Sequence, residues 1–63
     1  MIQAFTFSEI KLNDMFYWSG LYFIKINEEF AEYGTNKKFF FHLNELVQVD
    51  EHCKEYNENE AGK

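Results

Sequence analysis

With 63 residues the chain holds one compact domain at most, and it buries a smaller share of its surface than a larger protein does, so its core has to be dense in large side chains. Eight phenylalanines, four tyrosines and one tryptophan supply that density, and a single cysteine, Cys53, excludes an internal disulfide and suits a reducing, cytoplasmic setting. A net charge of −5 with lysine as the only basic residue type argues against direct nucleic-acid binding, which draws on clustered positive charge and on arginine's planar fork.

In chain order, Ala4 to Phe7 reads as a first short strand, and Ser8 to Asp14 as a polar connection with Ile10 and Leu12 as apolar anchors. Met15 to Trp18 and Leu21 to Asn27 are rich in aromatic and β-branched residues. The Ser19-Gly20 pair between them signals a tight β-hairpin whose two faces both carry large side chains. Glu28 to Tyr33 reads as a short strand that runs into the turn Gly34-Thr35-Asn36. Lys38 to His42 and Leu46 to Val49 complete the set. Five or six short strands with tight turns predict a mainly β domain over residues 1–50, either a small barrel or a strongly curved antiparallel sheet. Beyond it, residues 51–63 are polar and acidic and nearly without large apolar side chains, which predicts a flexible tail, with a frayed helix as the second reading. No stretch approaches the about 20 apolar residues of a membrane span, and no basic region precedes an apolar one at the N-terminus.

The run from Phe7 to Ile26 resembles a pattern of small uncharacterised bacteriophage-encoded proteins, Phe-x-x-Leu/Ile-x-x-(Gly/Asn)-Asp-x-Phe followed by Gly-x-Tyr-x-x-Lys. The matching positions here are Phe7, Ile10, Asp14, Phe16, Gly20, Tyr22 and Lys25. Such proteins usually have glycine where this chain has Asn13, and asparagine is one of the few other residues that tolerate positive φ. The pattern consists of turn and core residues, so it speaks for fold rather than activity. The resemblance implies a Src-homology-type small barrel of viral origin, acting on a host enzyme in the host cytoplasm.

Catalytic and metal chemistry find little footing. His52 and Cys53 are adjacent and His42 is distant in sequence, whereas structural zinc takes about four ligands at compatible spacing. Nothing near Cys53 marks an activated nucleophile, and no glycine precedes the Lys-Ser or Lys-Thr pair of a phosphate loop. Neither an enzyme nor a cofactor is expected. The surplus is aromatic: Tyr17-Trp18 and Phe39-Phe40-Phe41 are consecutive rings in strands, and alternation sends at least one ring of each run away from the core. That ring is either wrapped by another segment of the chain or left as a contact patch. Tyr17, Trp18 and Phe40, with the acids Glu28, Glu29 and Glu32, are therefore the candidate partner-binding residues. The expected function is a non-enzymatic module, a modulator or inhibitor of a host enzyme that handles nucleic acid, bound at a basic, partly apolar surface. Assembly into a homo-oligomer is the alternative.

Overall fold

The computed structural model describes residues 2–61. Six strands, β1 (Gln3–Thr6), β2 (Met15–Trp18), β3 (Leu21–Lys25), β4 (Phe30–Tyr33), β5 (Lys37–Phe40) and β6 (Leu46–Val49), precede one helix, α1 (Glu51–Ala61), and a 3-10 turn occupies Phe7–Glu9. The strands form one sheet in the order β1-β6-β2-β3-β4-β5, each neighbour antiparallel. The expected barrel or strongly curved sheet does not form: β1 and β5 lie at opposite edges, and the sheet stays open. The physical reason lies in how the core is covered. Phe7 N–H donates to Glu45 O at 2.8 Å and Ser8 N–H to Leu43 O at 3.0 Å, so the 3-10 turn and the chain before β6 lie over the rings, and the sheet need not close on itself.

Turn chemistry sets the hairpins. Ser19 and Gly20 both have positive φ, 51° and 83°, the two-residue geometry that matches the twist of paired strands. Gly34 and Asn36, at 58° and 62°, turn β4 into β5. Asn13 takes φ 74° at the end of the connection into β2, the conformation that its residue type permits.

Cross-strand pairing sorts the side chains onto two faces. Phe16 pairs with Phe23 and Lys25 with Ala31, which places them on the core face with Trp18, Phe39 and Val47; Tyr17, Tyr22, Ile24, Glu32 and Phe40 belong to the outer face. Phe7, Phe16, Phe23 and Phe41 are buried as one cluster. Phe7 stacks on Phe41 at 5.0 Å and Phe16 on Phe23 at 5.5 Å, and Phe16 meets Phe41 edge-on at 5.3 Å. Each such ring contributes about 1.5–3 kcal/mol from burial, with about 0.5–1.5 kcal/mol more for a well-placed ring pair.

One charge sits inside this core. Lys25 is 3 % exposed, and its ammonium donates to Phe7 O at 3.0 Å and Ile10 O at 2.8 Å while lying 4.5 Å from the centre of the Phe7 ring. The carbonyls of Phe7, which opens the 3-10 turn, and of Ile10, which follows it, thereby gain a donor, and the charge keeps the polar partners that burial requires. Its backbone holds the loop before β2: Asn13 N–H donates to Lys25 O at 2.8 Å, and Lys25 N–H to Asp14 O at 3.0 Å.

The flexible tail expected over residues 51–63 is likewise corrected for Glu51–Ala61, which forms a helix that packs on β2 and β6; residues 62–63 of that expectation lie outside the described residues. Asp50 caps its start, its Oδ1 accepting the Cys53 N–H at 3.0 Å and its Oδ2 accepting the Tyr22 hydroxyl at 2.7 Å. Cys53 is fully buried and joins the core cluster. Asn57 then completes an unfinished ladder. β6 meets β2 in register only at Tyr17↔Gln48, and further along the strand the Asn57 side chain accepts from Met15 N–H at 2.6 Å and donates to Met15 O at 3.3 Å. A helix with so few apolar residues docks through the buried Cys53, the His52 ring against Tyr22 and the Asn57 hydrogen bonds to Met15 together, a combination that hydrophobic patterning does not reveal.

Candidate functional site

Neighbours in sequence, Tyr17 and Trp18 part company in the structure. Trp18 points into the core face and meets Phe41 edge-on at 5.1 Å and Phe23 at 6.1 Å. Tyr17 lies on the outer face, half-buried and against Tyr22 at 5.2 Å. The two border a small hollow of about 260 Å³ beside Ala4 and Leu46.

The second aromatic run divides by the same alternation. Phe41 is buried, Phe39 sits at the rim of the core face, and Phe40 turns outward with 53 % of its surface exposed. Its ring meets Phe30 at 5.8 Å and His42 at 5.1 Å, both edge-on, which makes a ladder of three rings along the outer face at the sheet edge.

Glu28 and Glu29 reach this ladder through a loop that Asn27 shapes. Its side-chain oxygen accepts the N–H groups of Glu29 at 2.8 Å and Phe30 at 2.9 Å, a local turn that turns both glutamates to solvent before β4 begins. Phe41 N–H donates to Glu29 O at 2.8 Å and ties the loop to the end of β5. Between them lies a groove of about 550 Å³ bounded by Glu28, Glu29, Phe40, His42 and Leu43. Leu43 is as exposed as Phe40. Neither glutamate forms an ion pair with any of the described residues. Glu32 shares the outer face and stands across from Lys38 in the β4–β5 register.

Of the six candidate residues, the structure therefore gathers Glu28, Glu29 and Phe40 around one groove and sets Glu32 on the same face. Tyr17 and Trp18 are held apart from them by β3 and β4. His42 and Leu43 also belong to the groove and were not among the candidates. The spacing of His42 two residues after Phe40 continues the outward parity of β5 and was a usable signal, whereas Leu43 lies beyond the strand, where alternation gives none.

The groups with displaced titration lie at the start of α1 and in the loop before β2. The Cys53 N–H, then the Tyr22 hydroxyl, hold the Asp50 carboxyl down at about 2, and the hydrogen bond to that carboxylate pushes Tyr22 up to about 12. Burial raises the Cys53 thiol to about 11, which makes it a poor nucleophile. Burial also raises Asp14, against the opposing charge of Lys11. Among the described residues no three of His, Cys, Asp and Glu gather as metal ligands would, and no helix is long and apolar enough to cross a membrane. No protein-family pattern, curated protein or solved structure matches this chain, so its functional reading rests on geometry and chemistry.

Proposed function

We propose that this protein is a non-enzymatic protein-binding module whose groove beside Phe40 receives a partner surface that is basic and partly apolar. One observation carries the reading: an exposed ring, an exposed leucine and two carboxylates border the same groove. Aromatic side chains in such positions act as anchors, because they bring large contact area at little loss of side-chain freedom. Glu28 and Glu29 set the sign of the partner, since a cationic group next to the anchored apolar one meets charge of opposite sign. Surfaces of that composition are common on enzymes that handle nucleic acid, and such an enzyme is the partner class that fits best.

Capture from a bacterial lysate, compared between the wild type and Phe40→Ala, followed by binding kinetics on the retained protein, tests this. Phe40→Ala should weaken binding about tenfold or more with the fold intact. Replacing Glu28, Glu29 and Glu32 together by glutamine should mainly slow association and flatten its dependence on ionic strength. Direct DNA binding with no protein retained would overturn the proposal, and so would equal capture by Phe40→Ala.

A further inference from the structure

The outer edge of β5 continues into this groove, and the register shows which of its backbone groups are unused. Phe41 N–H bonds to Glu29 O, and Phe40, Phe39, Lys38 and Lys37 follow in the same antiparallel register against β4. Residues of such a pair alternate between bonding the neighbouring strand and turning away from it. Phe41 bonds inward, so Phe39 and Lys37 do as well, and the N–H and C=O groups of Lys38 and Phe40 point away from the sheet. β5 ends the strand order, and all four of its residues are exposed.

Proteins commonly blunt such an edge with charge, and here Lys37 and Lys38 act selectively. A second copy of β5 would bring four lysines onto one seam, whereas a strand carrying an acid opposite Lys38 would meet opposite charge. Two residues along, the same partner strand would lie beside Phe40, and two further on, beside the groove with Glu28 and Glu29. Resting on the protein-binding reading above, we infer that β5 takes up an extended segment of the partner protein as an added antiparallel strand. Its pattern is basic-x-apolar-x-acidic, the basic residue reaching Glu28 and Glu29, the apolar one covering Phe40 and the acid facing Lys38. Main-chain bonds to Lys38 and Phe40 supply affinity, and the alternate side chains supply selectivity.

The probe is a capped synthetic peptide with Lys-Thr-Val-Thr-Glu at its centre, titrated into the isotope-labelled full chain and followed by NMR shifts and amide exchange. At saturation the Lys38 and Phe40 amides should exchange about tenfold more slowly or less, as two new backbone hydrogen bonds require. Methylating the peptide nitrogens that face β5 should weaken binding about tenfold or more. Lys38→Pro should do the same with an unchanged melting temperature, since it removes an N–H that the sheet does not use. Shifts at Glu28, Glu29 and His42 without protection of the Lys38 and Phe40 amides would overturn strand addition and leave the protein-binding reading standing. Equal binding of a Glu-Thr-Val-Thr-Lys peptide, or no shift at all at millimolar peptide, would overturn the pattern. Concentration-dependent protection of those amides without peptide would assign the edge to a second copy and overturn the heterologous partner.

Discussion

Where the outer face of the sheet passes beneath α1, Met15 and Tyr17 are half-buried, and Asn57 and Asp50 bond to Met15 and Tyr22. At β4 and β5 the same face carries Phe30 and Phe40 with no element of the described chain across them. The two ends do not differ in how apolar the sheet is, because Tyr17 and Phe40 are both aromatic residues on outward-facing strand positions. They differ in what lies within reach: one end has a helix with fixed polar contacts, and the other has only the short Asn27–Glu29 loop. A ring left in the open is therefore a property of the cover as much as of the strand.

The largest effect removes what both ends share. Phe16→Ala empties the centre of the ring cluster and should lower stability by about 3–5 kcal/mol, which for a domain this small means loss of cooperative unfolding in a denaturant titration. Next comes the covered end alone. Asn57→Ala strips Met15 of its N–H and C=O partners, and equilibrium unfolding should show a loss of about 1–3 kcal/mol. Equal stability of that variant would mean that α1 is not held as described.

A third measurement asks whether the cap at Asp50 fastens the helix. Asp50 titrates at about 2, below its ordinary 3.8, so the stability it lends is present above pH 3.8 and is lost as pH falls through 2. Tyr22 titrates at about 12, above its ordinary 10.0, so its share is present below pH 10.0 and is lost as pH rises through 12. Thermal unfolding across pH should show both limbs; Tyr22→Phe should shrink the alkaline limb to the part that the buried Cys53 thiol contributes, lost as pH rises from 9.0 through about 11, and leave an acid one, and Asp50→Asn should reduce both. The smallest effect on stability belongs to the open end. Phe40→Ala should change stability by no more than about 0.5 kcal/mol, since the ring is half in solvent, while binding falls as proposed above.

Much of the sheet was legible in the residues. Ser19-Gly20 and Gly34 marked the turns between β2 and β3 and between β4 and β5, and β2 and β6 were bounded as observed. Alternation required at least one ring of Tyr17-Trp18 and of Phe39-Phe40-Phe41 to leave the core without fixing which, and it is the strand pairing that sends Trp18 inward and Phe40 outward. Two things were less legible. Closure of a sheet depends on which edges meet, and nothing in the periodicity of single strands reveals that β1 pairs with β6 while β5 stays free. The helix ranked only second, as a frayed one, because apart from Cys53 its anchors are an asparagine and an aspartate, residue types that patterning counts as solvent-facing. At the groove, the acids and Phe40 were readable, but their convergence depends on the Asn27 turn, a local side-chain contact that alternation does not register, and on the bond from Phe41 to Glu29, set by tertiary pairing.

Cys53 has a practical consequence. It is the sole thiol in the sequence, it is fully buried, and it lies in the turn of α1 that faces the sheet. A thiol reagent can reach it only when the helix lifts, so labelling in the native protein acts as a built-in clock. If the rate saturates with reagent concentration, the plateau is the rate of lifting; if it stays proportional to reagent, the ratio to the rate for a free thiol is the fraction of time spent open. Set beside the unfolding free energy of the whole chain, that ratio shows whether α1 lets go on its own or only when the rings beneath it do, without a label having to be engineered into the protein.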